Sequence, residues 1–130
     1  MSAENLFSLK LSATVLDCRD AVALSEFYLH FLNWKKVYSV EDQWLAIADP
    51  SGSGTIAFQK NDSYVPPVWP EQENQQQQME HLDFAVQNKE QMKLAVQHAI
   101  QCGASVAGEQ FSEEWTVMID PAGHPFCIVL

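Results

Sequence analysis

The chain writes one turn-and-strand phrase twice. "DPSGSGTIAFQK" runs from Asp49 to Lys60, and "DPAGHPFCIVL" from Asp120 to Leu130. Each reads Asp-Pro-small-Gly, a few residues, then an apolar run. Repetition on this scale means two copies of one supersecondary unit, neither able to bury its apolar face alone. Sliding the sequence by 68 lays "ATVLDCRD" (13–20) on "HLDFAVQN" (81–88), two apolar runs ending in an Asx residue. A shift of 71 aligns Trp44 with Trp115, Asp49 with Asp120, Pro50 with Pro121 and Gly52 with Gly123. A return to 68 sets Phe58 on Phe126 and Gln59 on Cys127.

Both copies follow one plan. "LKLSATVLD" (9–17) reads as a strand, and Asp20 N-caps a helix because its carboxylate accepts otherwise orphaned N–H groups. Ala21, Leu24, Phe27, Tyr28, Phe31 and Leu32 keep helical spacing. "KVYSV" (36–40), "WLAIAD" (44–49) and "TIAFQ" (55–59) read as three strands. In the second copy "HLDFAV" (81–86) is a strand, Asn88 with Gln91 resembles a capping box, and Gly103 closes the helix. "SVAGEQF" (105–111), "WTVMID" (115–120) and "PFCIVL" (125–130) complete the set. The expected organisation is one α+β domain over 1–130: module 1 at about 8–60, a connector at 61–79 and module 2 at 80–130. The connector's prolines (66, 67, 70) and its Gln run fit no core element. Trp69 is expected to leave that strap and pack on something, as an indole in a polar segment does.

Net charge −10 argues against nucleic acid and anionic membrane, since both demand a Lys/Arg patch. No apolar run approaches a membrane span. The start, "MSAENLFSLKLS", lacks the basic and apolar regions of a secretion signal. Three widely spaced cysteines, Cys18, Cys102 and Cys127, are expected to be reduced thiols in a cytoplasmic protein. None forms a CxxC pair, which speaks against a structural zinc site.

The doubled βαβββ unit, with "FYLHFLNW" (27–34), "VWP…QQQQMEHLDFAV" (68–86) and the closing "DPAGHPFCIVL", resembles the vicinal oxygen chelate superfamily. The likeness is to its glyoxalase, bleomycin-resistance and dioxygenase members, closest to the glyoxalase-like branch. It implies two tandem modules forming a curved mixed sheet, a half-barrel around a central cavity with helices on the outer face. It also implies a small-molecule ligand and a homodimer.

In metal-using members, as the resemblance implies, ligands come from the first and last strands of each unit, usually as His or Gln, Glu, His, Glu. Carried over, the four positions are Ala13, Gln59, His81 and Cys127. Ala13 has no donor atom, Gln59 is a weak neutral donor, and Cys127 stands where a carboxylate is expected. A hard divalent cation wants oxygen-rich ligands and charge neutralisation. No metal or other cofactor is therefore expected. A metal, if held, would use His81, Gln59 and Cys127.

His81 is the most chemically capable of the four. Residues i and i+2 of a strand share a face, so Asp83 sits near it and can hold its tautomer as a general-base pair. The competing reading gives His81 only a hydrogen bond to a neighbouring strand. Cys127 in "FCIVL" reads equally as a buried core thiol, with no nearby Lys or Arg to lower its pKa. Trp44, Trp69 and Trp115 are candidates for lining the cavity, with His81, Gln59 and Cys127 as further ligand contacts. Phe126 is read as core, His124 as turn packing, and His30 and His98 as solvated.

The function expected is binding of a small organic molecule without a metal, by sequestration or with acid/base help from His81 and Asp83. Two alternatives stand beside it: a metal-dependent lyase or isomerase of the glyoxalase I type, and a protein-interaction module without catalysis.

Overall fold

The structure, a computed structural model, describes residues 8–130. The first seven residues, with the beginning of the stretch read as lacking a secretion signal, lie outside the described residues. Module 1 comprises β1 (Thr14–Cys18), α1 (Ala21–Leu32), β2 (Lys35–Val40), β3 (Trp44–Ala48) and β4 (Thr55–Lys60). Module 2 comprises β5 (Leu82–Ala85), α2 (Lys89–Cys102), β6 (Ser105–Val106), β7 (Trp115–Ile119) and β8 (Pro125–Val129). Each module has one four-stranded mixed sheet, ordered β1-β4-β3-β2 and β5-β8-β7-β6. The first and last strands pair in parallel, and the other pairs are antiparallel.

The helix ends form where the sequence writes them. Asp20 is extended, and its carboxylate accepts the Ala23 N–H at 2.9 Å. Asn33 adopts a left-handed conformation (φ 55°) and stops α1. Asn88 Oδ1 accepts the Gln91 N–H at 2.8 Å, while Gln91 Oε1 accepts the Gln87 N–H at 3.0 Å. Gly103, at φ 124°, donates its N–H to the Ala99 and Ile100 carbonyls. Few residues other than glycine hold such a φ without strain.

Two strands are shorter than expected. Residues 8–13 precede β1 without pairing, so the strand starts at Thr14. The 105–111 stretch yields only the two residues of β6. Beyond Gly108 a side chain takes over the edge of β7. Gln110 Oε1 accepts the Val117 N–H at 2.8 Å, and its Nε2 donates to the carbonyls of Val117 (2.9 Å) and Ala107 (3.1 Å). A carboxamide carries one acceptor and two donors in a plane, so it can stand in for a strand peptide.

The modules share one core within a single chain. Phe27, Tyr28 and Phe31 of α1 meet Phe58 of β4, Phe84 of β5 and Phe126 of β8 through stacked and edge-to-face contacts. Tyr28 has no exposed surface, and its hydroxyl donates to Asp120 Oδ2 at 2.7 Å. The repeated Asp-Pro turns explain the repeated phrase. Asp49 Oδ1 accepts the Ser51 N–H, and the Asp49 carbonyl accepts the Gly52 N–H. Asp120 Oδ1 accepts the N–H groups of Ala122 and His124, and its carbonyl that of Gly123. Gly52 and Gly123 have nearly equal φ values, 91° and 95°.

The environments of the two aspartates differ. Asp49 is half-buried in the turn, and hydrogen bonds from the Ser53 hydroxyl and from Ser51 hold its carboxyl down at about 2. Burial pushes Asp120 above the ordinary carboxylate value, against the opposing pull of His124 and of its hydrogen bonds from Tyr28, His124 and Ala122.

Candidate functional site

Strand alternation fixes which residues face away from the helices. Leu16, Cys18, Ile56, Phe58, Leu82, Phe84, Phe126 and Ile128 pack into the helix-side core. Their neighbours therefore point to the other face: Ala13, Val15, Asp17, Ala57 and Gln59 in module 1, and His81, Asp83, Ala85, Cys127 and Val129 in module 2. All four positions carried over from the resemblance lie on this face.

The ladders change which positions correspond. Ala48 opposes Thr55 in module 1, and Ile119 opposes Pro125 in module 2. Trp44 opposes Gln59, and Trp115 opposes Val129. Val15 neighbours Ala57, and Asp83 neighbours Cys127. The counterpart of Cys127 is thus Ala57, and that of Gln59 is Val129. The alignment at 68 is off by two residues here because the turns before β4 and β8 differ in length by less than it required. Trp44 and Trp115 do correspond. The module 1 counterparts of His81, Asp83 and Cys127 are Ala13, Val15 and Ala57, which offer no donor atom.

Module 2 keeps all its chemistry together. His81 Nε2 lies 3.3 Å from Asp83 Oδ1. One donor atom from each of His81, Asp83 and Cys127 lies within 4.8 Å of the others. Cys127 is buried, and its thiol is pushed up to about 11, first by burial and then by the charge and hydrogen bond of Asp83. The carboxylate lies beside both the imidazole and the thiol, and its charge favours a protonated sulfur. That order does not make a nucleophile, which needs a thiolate in electropositive surroundings.

The remaining predicted contacts scatter. Gln59 is exposed on β4, between Asp17 and Trp44 of its own module. Trp69 leaves the strap as expected and packs against the patch formed by Ala107, Val117 and Cys127. Phe111 meets it edge-on at 6.3 Å. The Trp69 indole nitrogen is buried without an acceptor among the described residues.

An open trough of about 770 Å³ runs between β1 and β5, with Ala13, Thr14, Asp49, residues 52–56 and Leu82–Ala85 among its walls. A narrow space of about 10 Å³ touches His81 and His124. A groove of about 480 Å³ lies between β1 and the strap, lined by Asp17, Asn61, Tyr64 and Gln76–Glu80. Asp83 therefore faces the trough, whereas Gln59, Cys127, Trp44, Trp69 and Trp115 line none of these three cavities.

Two histidines do more than the sequence suggested. His124 Nε2 donates to the Asp17 carbonyl at 2.7 Å, and its turn is tied to Tyr64, whose hydroxyl donates to the Ala122 carbonyl at 2.8 Å. It is turn packing, as expected, but it also joins the modules. His98, read as solvated, places Nε2 at 3.2 and 3.1 Å from the His30 and Phe31 carbonyls. These carbonyls near the end of α1 lack full intrahelical partners and take an outside donor. The pairing of His30 with His98 under the 68-residue shift was the available signal.

The chelate set implied by the resemblance does not fit this face. A four-cornered hard-cation site needs donors from both modules, and module 1 offers none at Ala13, Val15 or Ala57; its donors on this face, Asp17 and Gln59, stand side by side one inward position further along β1 and β4, where Asp17 already accepts from Asn61.

A family model described as a glyoxalase-like domain matches residues 13–129. No curated protein sequence matches the chain. Among solved structures, a possible glyoxalase from Bacillus cereus is similar at 15% identity and TM-score 0.71, over 95% of this chain and 100% of that one. A glyoxalase/bleomycin resistance protein/dioxygenase family enzyme from Burkholderia phytofirmans PsJN is similar at 22% identity and TM-score 0.69, over 92% and 98%. The fosfomycin resistance protein FosX from Listeria monocytogenes, solved as a mutant complexed with Mn(II), is similar at 15% identity and TM-score 0.69, over 95% and 90%. At these identities the likeness concerns the fold.

Proposed function

The chain belongs to the glyoxalase-like domain family, and from that premise we propose that it binds a small organic molecule in the trough lined by Asp83, with His81 behind that carboxylate. On this reading it works without a chelated hard cation. It either sequesters the molecule or removes a proton from it with His81. The observation that carries the reading is the His81–Asp83 contact of 3.3 Å on a face whose corresponding module 1 positions are Ala13, Val15 and Ala57. The trough volume, about 770 Å³, falls in the range of small-molecule sites.

The chemistry follows from the geometry. Asp83 faces His81 Nε2, so a neutral ring keeps its proton there and leaves the Nδ1 lone pair free to act as base. The carboxylate then stabilises the imidazolium that forms. The orphaned Trp69 N–H, buried over the Cys127 patch and away from the trough, suits a water acceptor. Free thiols at Cys18, Cys102 and Cys127 suit a reducing compartment such as the cytoplasm.

The test is a thermal-shift screen of small neutral and cationic organic compounds on metal-free protein, followed by tryptophan fluorescence titration. A native-state ligand raises the unfolding midpoint by mass action. His81→Ala and Asp83→Asn should each lose the response. If no compound raises the midpoint and the fluorescence never moves, the reading falls.

A further inference from the structure

We propose that His81, Asp83 and Cys127 form a clamp for a thiophilic divalent cation such as Zn²⁺, and that its occupation switches off the base. The switch rests on the acid/base reading above; the clamp rests on geometry alone. Three different donor types converge: an imidazole nitrogen, a carboxylate oxygen and a sulfur, all within 4.8 Å. In a tetrahedral zinc site with bonds of about 2.0–2.3 Å, such donors stand about 3.3–3.6 Å apart. The His81–Asp83 pair already does, at 3.3 Å. The widest separation, 4.8 Å, exceeds the tetrahedral spacing by about 1 Å, within reach of a χ1 rotation of Cys127.

The donor set selects the ion. A thiolate and an imidazole suit Zn²⁺ and Co²⁺, whereas Mg²⁺ and Mn²⁺ ask for oxygen. The Asp83 carboxylate beside both the sulfur and the nitrogen supplies the negative charge that offsets a cation held by all three. On binding, the Cys127 S–H bond breaks, an S–metal bond forms and the proton leaves to solvent. His81 then holds the ion through the nitrogen facing Asp83, so its proton moves to Nδ1 and the ring has no lone pair for a substrate. All three ligands come from module 2, and the clamp asks nothing of Ala13, Val15 or Ala57.

The experiment titrates chelator-stripped full-length protein with Co²⁺ and then displaces it with Zn²⁺. A near-ultraviolet thiolate-to-cobalt charge-transfer band reports sulfur ligation. We expect one ion per chain, loss of the band in Cys127→Ser, and Zn²⁺ affinity weakened about tenfold or more in Asp83→Asn. Asp83 is half-exposed, so that variant keeps the fold if the serine variant does not. Cys102→Ser is the control, because Cys102 and His98 form the other sulfur–imidazole pair, at 3.8 Å. A band that survives Cys127→Ser, one that vanishes in Cys102→Ser, or no band at all overturns the clamp. Small-molecule binding by metal-free protein is read separately. Its absence beside an intact band sinks the proposed function alone. If a compound does bind, saturating Zn²⁺ should abolish its response, and unchanged binding would refute the switch.

Discussion

Replacing Tyr28 with Phe isolates one of the hydrogen bonds that join the modules. The ring keeps its contacts with Phe58, Phe84 and Phe126, and only the hydroxyl that donates to Asp120 Oδ2 at 2.7 Å is removed. Asp120 is 3% exposed and retains the Ala122 and His124 N–H donors, so the carboxylate loses one of three partners. A hydrogen bond to a buried charged group contributes roughly 1.5–3 kcal/mol. For a domain of this length that lowers the midpoint by about 3–4 °C per kcal/mol.

The penalty depends on pH in a direction the environment dictates. Burial raises Asp120 above its unfolded value, so the folded state gains from the neutral carboxyl below the unfolded pKa and loses that gain as pH rises through the raised folded pKa. The Tyr28 bond opposes this by favouring the ionised form. Tyr28→Phe should therefore cost most above that pKa and little near pH 3. Urea unfolding at several pH values, with constant m, measures it. A loss under about 0.5 kcal/mol at neutral pH, or one that grows toward acid, would refute the assignment of a charge-assisted bond.

Other substitutions test the remaining structure. Gly123→Ala should destabilise by roughly 1–3 kcal/mol and Gly52→Ala by only about 1 kcal/mol. Both glycines have positive φ, but a Cβ on Gly123 would stand 2.9 Å from the Pro66 Cβ while one on Gly52 meets open space; equal losses in thermal melts would contradict the packing. Gln110→Ala removes the three hydrogen bonds that extend the β7 edge and should cost roughly 1–3 kcal/mol, with faster hydrogen exchange at Val117; protection left intact would show the side chain to be dispensable. Cys127, at about 11, has about a thousandth of its thiol ionised at pH 8, so iodoacetamide should label it slowly. Asp83→Asn should lower that pKa and speed labelling, as mass spectrometry would read, and an unchanged rate would mean Asp83 does not touch the thiol.

Much of the fold is legible because its signals are local. Asp20, Asn88 and Gly103 cap helices through contacts at most four residues away, and each does what its type predicts. The Asp-Pro turns are written in four residues each. The short β6 was not legible, because nothing local in 105–111 shows that beyond Gly108 the partner of β7 is the Gln110 side chain. Nor was the role of His98, which depends on α1 ending beside it. The site divides along the same line. The i, i+2 rule brought His81 to Asp83. It could not show that Cys127 joins them, because that depends on the β5–β8 register.

The register also changes what the duplication means. Aligned by letters, the two halves each retain one donor at the strand end, Gln59 and Cys127, and the site looks eroded on both sides. Aligned by ladders, Ala13, Val15 and Ala57 correspond to His81, Asp83 and Cys127, so at these three positions one half holds no donor and the other holds three. A site shared by two modules constrains both and ties chemistry to their relative placement. A site held by one strand pair does not, because its three side chains are positioned by a single parallel ladder. The modules can then be joined for stability alone, by Tyr28–Asp120 and His124–Asp17, without disturbing the reactive groups. Loosening that junction, as Tyr28→Phe would, should thus lower stability while leaving cobalt ligation by His81, Asp83 and Cys127 intact.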